Sequence, residues 1–372
     1  MHTPGRRRQS LTDLPRGVLP SQQIRRMIAA RAIGSEVKIR PEQVQPASLD
    51  LRLGASAWRV RASFLPGGGR TFAQRLGDFS MHEVDLGDGA VLEKGCVYVV
   101  PLMESLDLPA DISAVANAKS STGRLDILTR LITDGGEEFD RIEAGYSGPL
   151  FAEISPLSFS VLVRPGMRLN QIRFRRGQAL IDDDALRELD RRLGLVDVEA
   201  HIDGGLGFSV DLKPGEGALA GYRAKPHTGL VDLDRIGHYD PADFWEPVTA
   251  SGGHIILDPG AFYILVSREA VHVPPDCAAE MAPYLAMVCE FRVHYAGFFD
   301  PGFGHAAAGG KGARGVLEVR CHEAPFVLEH GQIVGRLVYE TMAETPDILY
   351  GADMGSSYQG QGLKLSKHFK VA

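Results

Sequence analysis

The densest set of ligand-binding side chains runs from residue 118 to residue 125, Ala-Lys-Ser-Ser-Thr-Gly-Arg-Leu. It contains two cations, Lys119 and Arg124, and three hydroxyls, with no acidic residue among them. Cations and hydroxyls supply charge and directed hydrogen bonds to a phosphate chain. The competing interpretation is a solvated polar loop, because short basic runs are also common on ordinary surfaces. The stretch therefore marks Lys119, Ser120, Ser121 and Arg124 as candidate site residues.

Each half of the chain also places one carboxylate within an apolar, strand-like segment. Glu153 follows Leu-Phe-Ala, and Glu318 follows Val-Leu. Alternation along a strand directs such a side chain to one face, and an inward carboxylate is costly unless it is paired or functional. A glutamate facing water from a half-exposed strand is the alternative, and the sequence leaves both open.

These residues belong to two strand-rich halves that repeat. Gly95 matches Gly260, Glu153 matches Glu318 and Gly166 matches Gly331, and the members of each pair are 165 residues apart. Residues 48–51 (Ser-Leu-Asp-Leu) also resemble residues 209–212 (Ser-Val-Asp-Leu). One shared offset predicts two copies of one β domain, a jelly roll or a related barrel. Within this register the second copy lacks the phosphate motif.

The predicted fold is mainly β, with a few short helices. Ser21 is predicted to cap a helix that ends near Ala32, and residues 182–194 are predicted to form a helix with an acidic start and a glycine stop. The predicted organisation is a disordered extension (1–18), a first β domain (19–180), a helical linker (181–200), a second β domain (201–345) and a C-terminal lid (346–372).

Composition excludes several classes of protein. The formal net charge of −7 argues against general affinity for nucleic acid. No apolar run approaches the ~20 residues needed to span a bilayer, and the basic N-terminus lacks the apolar core of a signal peptide. The four cysteines have no CxxC spacing, which predicts reduced thiols in a cytoplasmic protein.

Several motifs together resemble the dCTP deaminases of the trimeric dUTPase-like superfamily. Residues 44–54 resemble a strand near the start of those enzymes, and residues 119–125 resemble their Arg-Ser-Ser-x-x-Arg phosphate motif, with Lys in the first position. Residues 299–302 (Phe-Asp-Pro-Gly) resemble their Ile-Asp-Pro-Gly hairpin, residues 316–318 the strand that carries their catalytic Glu, and residues 357–361 their lid over the triphosphate. The chain is similar to the double-length branch of this family.

The resemblance implies two tandem dUTPase-like β-barrel or jelly-roll domains that deaminate dCTP to dUTP, which supplies dUTP for thymidylate synthesis. The phosphate motif survives only in the first copy, whereas the hairpin and the lid fit the second, so we expect a composite site, within one chain or across chains. The implied catalytic residues are Glu318, Ser120 and Arg124, with Glu153 as a relic or a second site. The implied substrate-binding residues are Lys119, Ser121, Ala296, Asp300, Tyr358, Gln359 and Gln361.

Cytosine deamination requires water to add at C4 and ammonia to leave. The zinc-ligand motifs His-x-Glu and Pro-Cys-x-x-Cys are absent from the sequence, which predicts a route without zinc in which Glu318 is the general base. Ser120 and Arg124 are expected to orient the water and stabilise charge. We expect Mg²⁺ to bind through the triphosphate, and the family resemblance implies a homo-oligomer.

Two alternatives remain at this stage. A dUTP diphosphatase, or a deaminase that also cleaves the triphosphate, shares the fold and the phosphate motif, and Asp300 leaves that chemistry open. A nucleotide-binding protein without catalysis, in which one copy has decayed, is the second alternative. Release of ammonia separates a deaminase from a diphosphatase, and nucleotide binding without turnover would favour the non-catalytic protein.

Overall fold

The structure is a computed structural model that describes residues 14–213, 215, 217–283, 291–294, 297–351 and 360–371. It is mainly β, as predicted. Within the described residues, none of the helices has both the length and the apolar character needed to cross a membrane.

The strands of the first half are short and mostly antiparallel. They are β1 (Gly17–Val18), β2 (Ile33–Ser35), β3 (Leu49–Leu51), β4 (Ser56–Val60), β5 (Ser80–Asp85), β6 (Ala90–Leu92), β7 (Val97–Asp107), β8 (Ile112–Ala118), β9 (Ile127–Thr133), β10 (Arg141–Ile142), β11 (Ser147–Pro156), β12 (Val161–Val163) and β13 (Asn170–Arg176).

The second half continues in the same style. Its strands are β14 (Leu206–Ser209), β15 (Leu219–Ala224), β16 (Val231–Asp232), β17 (Trp245–Thr249), β18 (His254–Leu257), β19 (Phe262–Val271), β20 (Cys277–Pro283), β21 (Phe291–His294), β22 (Phe298–Phe299), β23 (Ala313–Cys321), β24 (Phe326–Glu329) and β25 (Ile333–Thr341).

The helices are brief by comparison. The α-helices are α1 (Ser21–Ala29), α2 (Phe72–Phe79), α3 (Ser120–Gly123), α4 (Asp183–Leu193) and α5 (Pro241–Phe244), and 3₁₀ turns lie at Pro41–Gln43 and Ala306–Ala308. The helix predicted at 182–194 is confirmed, with Asp182 accepting a hydrogen bond from the Ala185 amide and Gly194 in the left-handed conformation.

The two halves use the same strand pairings. One sheet has the order β1-β13-β8-β10 and its counterpart the order β14-β25-β20-β22. A second sheet has the order β5-β4-β7-β11-β9 and its counterpart the order β17-β15-β19-β23-β21. The registers agree as well: Val99 pairs with Glu153 in the first half, and Ile264 pairs with Glu318 in the second. Both carboxylates therefore occupy the same place in corresponding sheets.

One sequence match is wrong by four residues. The match of 48–51 with 209–212 places Ser209 opposite Ser48, but the hydrogen bonds place it opposite Arg52. The Arg52 amide donates to Glu104 Oε2 at 2.8 Å, and the Ser209 amide donates to Glu269 Oε2 at 2.8 Å. A shift by an even number of residues keeps each side chain on its own face, so alternation alone does not detect the error.

The halves also share a hydrophobic core. Trp245, from the second half, is 2% exposed and packs edge-on against Phe159 of the first half, with ring centroids 5.3 Å apart. Phe369 near the C-terminus packs against the same indole at 5.8 Å. Strand β16 adds in parallel to β12, with Val231 opposite Val161. These contacts fix the second half against Phe159 and strand β12 of the first half.

The N-terminal region differs from expectation in two respects. Residues 14–18, which the sequence pattern assigns to the disordered extension, are structured, because Leu14 is buried and β1 pairs with β13. Helix α1 ends at Ala29 rather than near Ala32, because Ile33 enters β2 opposite Leu106. Pro20 occupies the N-cap, and the Ser21 hydroxyl instead donates to the Asp347 carboxylate.

Candidate active site

Helix α3 carries the motif that resembles a phosphate-binding sequence, directly after strand β8. Lys119 is its N-cap residue and Arg124 its C-cap residue. Because residues four apart lie on one helical face, Ser120 and Arg124 meet, and Arg124 Nε donates to Ser120 Oγ at 3.2 Å. The Arg124 side chain is 2% exposed, so its charge lies inside the protein.

Glu318 of the second half faces this arginine from strand β23. Its Oε1 lies 4.0 Å from Arg124 Nε, and its side chain is 6% exposed. Burial raises the pKa of Glu318 well above its usual range, the Arg124 charge opposes that rise, and the nearby Asp126 carboxylate adds to it. The structure therefore brings Ser120, Arg124 and Glu318 together within one chain.

The C-terminal segment holds Arg124 from a second direction. Arg124 Nη2 donates to Gln361 Oε1 at 3.0 Å, and Nη1 donates to the Lys364 carbonyl at 2.9 Å. The Gln361 side-chain amide in turn donates to the Arg314 carbonyl on β23 at 3.2 Å. Gln361 therefore links the first-half arginine to the strand that carries Glu318.

Asp126 was not among the residues that sequence reasoning selected. It is fully buried, forms an ion pair with Arg320, and accepts a hydrogen bond from Ser158 Oγ at 2.5 Å. Arg320 lies on β23 two residues after Glu318. The ion pair thus joins the end of the α3 motif to the same strand. In the sequence, the only signal for Asp126 is its position two residues after Arg124.

Lys119 and Ser121 point to a different surface of α3. Lys119 Nζ lies 2.5 Å from Asp50 Oδ1, and Arg168 Nη1 lies 3.5 Å from Asp50 Oδ2. Lys119 and Ser121 line a cavity of about 520 Å³, whose described lining does not include Arg124. The motif therefore contributes Ser120 and Arg124 to the contact with Glu318, and Lys119 and Ser121 to a basic cavity.

Asp300 occupies a buried ion pair. Arg173, on β13 of the first half, donates to Asp300 Oδ1 at 3.0 Å and to the Ala279 carbonyl at 3.0 Å. Burial raises the pKa of Asp300, and the Arg173 charge opposes that rise. The predicted hairpin residue Ala296 and the predicted lid residues Tyr358 and Gln359 lie outside the described residues.

Glu153 has a separate environment. It is 1% exposed and forms an ion pair with Arg130 on the neighbouring strand β9. Phe72 of α2 stacks on Phe151, two residues before Glu153 and on the same strand face, at 3.9 Å. Arg130 also donates to Ser63 Oγ at 2.9 Å. The first half therefore covers its glutamate with its own chain.

Potential metal ligands are scattered through the described part of the chain. No group of three or more His, Cys, Asp or Glu side chains is arranged there to hold a metal ion.

Two family models match this chain, one for each half of the fold. The model of the 2′-deoxycytidine 5′-triphosphate deaminase N-terminal domain matches residues 15–178, and the model of the C-terminal domain of the same enzymes matches residues 182–369. The chain belongs to the 2′-deoxycytidine 5′-triphosphate deaminase family. The resemblance described from the sequence is thereby confirmed.

Individual members of the family match to different extents. A crystal structure of 2′-deoxycytidine 5′-triphosphate deaminase from Agrobacterium tumefaciens is 60% identical, with a TM-score of 0.85 over 88% of this chain and 99% of that one. A dCTP deaminase of Halorubrum lacusprofundi is 33% identical over 36% of this chain and 64% of its own length. A dUMP-forming dCTP deaminase of Dictyoglomus thermophilum is 30% identical over 36% of this chain and 66% of its own length.

Proposed function

We propose that the protein deaminates dCTP to dUTP with release of ammonia, and that Glu318 is its general base. The observation that carries the proposal is the 4.0 Å contact between Arg124 Nε and Glu318 Oε1, both buried and contributed by different halves. Family membership and the similarity to the Agrobacterium tumefaciens structure support the same activity. The dUTP formed would supply thymidylate synthesis.

The proton transfers follow from the position of the carboxylate. Glu318 takes a proton from water as the water oxygen bonds to C4 of cytosine, and passes that proton to ring N3. It then takes the proton of the new hydroxyl and gives it to the amino group, the C4–N bond breaks, and ammonia leaves a carbonyl at C4. A raised pKa suits both roles, because one group must accept and donate protons near neutral pH.

Arg124 and Ser120 have supporting roles in this scheme. The fixed guanidinium favours the ionised form of Glu318 that accepts the proton, and hydrogen bonds to Ser120, Gln361 and Lys364 help to hold it in place. The Ser120 hydroxyl orients the attacking water. Because these groups are already in place, little reorganisation is required when the reaction begins.

Magnesium is proposed to arrive with the substrate. Both oxygens of Asp50 are occupied by Lys119 and Arg168, so the groups beside the cavity suit phosphate oxygens rather than a bare cation. When bound, Mg²⁺ would neutralise part of the triphosphate charge. The proposed chemistry at Glu318 requires no zinc.

The corresponding registers of the two halves support an origin by internal duplication. The contact at Glu153 differs from that at Glu318, because Arg130 comes from the same half and α2 covers the site. We therefore propose one working site per chain, with Glu318 as its base.

A product assay tests the function. Purified protein is incubated with dCTP and Mg²⁺ in the presence of a chelator selective for zinc, and ammonia, dUTP, dUMP and pyrophosphate are followed together. We expect ammonia with dUTP, loss of at least 100-fold in kcat for Glu318→Gln, and near-normal activity for the matched control Glu153→Gln. Equal loss in both variants would contradict the single site, and absence of ammonia would contradict the function.

The same assay separates a second candidate function. Some relatives carry the name dUMP-forming dCTP deaminase, so a bifunctional enzyme would give ammonia with dUMP and pyrophosphate. Cleavage of the triphosphate would require a carboxylate such as Asp300 to align a water with phosphorus. The carboxylate of Asp300 already accepts a hydrogen bond from Arg173, which favours deamination alone.

A further inference from the structure

Strand β23 presents two charged side chains on the face that meets the first half. Leu317, Val319 and Cys321 are buried in the core of the second half. Because successive side chains of a strand alternate between its faces, Glu318 and Arg320 lie together on the opposite face. The Arg320 side chain is 15% exposed and the Glu318 side chain is 6% exposed. The strand that carries the proposed base therefore also carries a largely buried cation.

Arg320 is held by groups from both halves. Its guanidinium forms an ion pair with Asp126, whose side chain is fully buried. Nη2 also donates to Ser158 Oγ at 3.2 Å, and Nη1 donates to the Gly260 carbonyl at 2.7 Å. On the other side of the pair, Asp126 accepts hydrogen bonds from Ser158 Oγ at 2.5 Å and, through its backbone carbonyl, from the Leu157 amide at 2.8 Å. The arginine and the aspartate are therefore both fixed across the contact between the halves.

The pair brings a second carboxylate close to the proposed base. Asp126 follows Arg124 by two residues, and its negative charge adds to the raised pKa of Glu318, so the two carboxylates are within electrostatic reach of each other. Inside a protein, attraction between opposite charges is stronger than in water and an uncompensated charge is costly. Arg124 would therefore have two carboxylates to bind if Arg320 did not hold one of them.

The first half has a different residue at the matching position. Ser155 and Arg320 are 165 residues apart, as Glu153 and Glu318 are. The Ser155 hydroxyl donates to the Cys96 carbonyl at 3.1 Å, within its own half. The arginine therefore accompanies the glutamate for which we propose catalysis, whereas a small hydroxyl accompanies the glutamate for which we do not.

We propose that Arg320 is a positioning residue for the deamination, which holds Asp126 and so leaves Arg124 to act on Glu318. The inference rests on the proposed function, because it concerns the same base. In this role Arg320 acts through Asp126 and Arg124 and not through the substrate. It keeps the 4.0 Å contact between Arg124 and Glu318 from being replaced by a contact between Arg124 and Asp126.

Steady-state kinetics with dCTP test this role. Arg320→Met leaves the Asp126 charge buried without its arginine. We expect kcat to fall about 100-fold with KM within about threefold, because the change misplaces groups at the reacting carbon and removes no contact with the substrate. Asp126→Asn in the same chain removes the competing charge, so the double variant should turn over at least about tenfold faster than Arg320→Met. Arg320→Lys keeps the positive charge and should also be at least about tenfold faster than Arg320→Met.

Recovery in the double variant distinguishes positioning from a purely structural clamp. A clamp between the halves is lost equally in Arg320→Met and in the double variant, so equal kcat in the two folded proteins would overturn the proposal. The matched control is the pair of Arg223 and Asp258, 2.9 Å apart and partly exposed within the second half; Arg223→Met, alone or with Asp258→Asn, should stay within about twofold of the wild type in kcat. Melting curves establish folding, and Arg320→Gln replaces Arg320→Met in the comparison if the latter does not fold.

A crystal structure of Arg320→Met separates this inference from the proposed function, because it requires no turnover. We expect the Arg124 guanidinium to contact Asp126 and its Nε to lie more than 4.0 Å from Glu318 Oε1. A contact between Arg124 and Glu318 that is unchanged from the wild type would overturn the role of Arg320 and leave the deamination standing. A displaced Arg124 in a protein whose wild type releases no ammonia would support the role of Arg320 in holding these charges apart and would contradict only the proposed function.

Discussion

Arg173 of the first half and Asp300 of the second form an ion pair in which Arg173 Nη2 lies 3.0 Å from Asp300 Oδ1. The arginine side chain is fully buried, and its guanidinium carbon lies 4.1 Å from the centre of the Phe298 ring. Strand β22, which contains Phe298, precedes β23, which carries Glu318. The pair therefore ties the region leading into β23 to the half that supplies Arg124.

Breaking this pair should be costly. Arg173→Met leaves the Asp300 carboxylate buried without its arginine, and we expect a loss of about 3–5 kcal/mol in the free energy of unfolding. Urea denaturation measures the loss, and Arg141→Gln, at an exposed arginine, should stay within about 0.5 kcal/mol of the wild type. In a double-mutant cycle Asp300→Asn should recover part of the loss, and additive effects of the two changes would contradict the pairing.

The pH dependence of deamination should respond to Asp126. Its negative charge contributes to the raised pKa of Glu318, so Asp126→Asn should lower that pKa. Because the ionised form of Glu318 is the proposed base, activity should fall as pH falls through the pKa of Glu318. The acidic limb of kcat/KM should therefore move to lower pH in the variant.

Asn is a suitable replacement because residue 126 has φ +57°, which Asn tolerates well, and because its amide oxygen can still accept a hydrogen bond. The control is Asp111→Asn, which removes a more exposed carboxylate paired with Arg176. An acidic limb that stays in place, or moves to higher pH, would show that Asp126 does not act on the base.

Asp140 should make stability depend on pH. Burial raises the pKa of Asp140 from 3.8 to about 7, so the folded state retains a proton that the unfolded state has already lost. The contribution of Asp140 to the stability of the folded state is largest below pH 3.8 and is lost as pH rises through about 7. Asp140→Asn removes the titration, and its Oδ1 can still accept from the Leu131 amide. We expect its melting temperature to exceed that of the wild type by an amount that grows between pH 4 and pH 7.

Asp183 should give the opposite dependence of stability on pH in the same measurement. Backbone hydrogen bonds from Gly204 and Gly205 lower the pKa of Asp183, so its contribution is present above its unfolded pKa and is lost as pH falls through the folded value. Asp183→Asn should therefore be less stable than the wild type at neutral pH and approach it in acid. The same trend in both variants would contradict these assignments.

The shared core predicts one cooperative unfolding transition. The chain has two tryptophans, Trp58 in the first half and Trp245 in the second. In Trp58→Phe all tryptophan fluorescence comes from Trp245, whereas far-ultraviolet circular dichroism reports the sheets of both halves. Because Trp245 packs against Phe159, the two denaturation curves should coincide. Separate midpoints would mean that the halves unfold independently.

Much of the fold was predictable because it repeats. The 165-residue offset between Glu153 and Glu318 corresponds to equal strand registers, and the α4 signals at Asp182 and Gly194 are local. Helix α2 was not predicted. It has only eight residues, and the stacking of Phe72 on Phe151 helps to hold it, so the stabilising contact is distant in sequence.

Part of the candidate site was predictable because it depends on local spacing. The motif residues Ser120 and Arg124 are four apart, and local spacing alone puts them on one face. Asp126 lies close to the motif in sequence, but its ion pair is with Arg320, which lies 194 residues further along the chain. Such a partner follows from the packing of the two halves and not from any local pattern.

The contact between Arg124 and Glu318 within a single chain has a kinetic consequence. A site built between separate subunits is depleted when the protein is diluted below its dissociation constant. Covalent connection of the two halves replaces that association by an intramolecular encounter at a fixed effective concentration. Turnover per chain at this site should therefore remain constant as the enzyme is diluted, whatever its state of assembly.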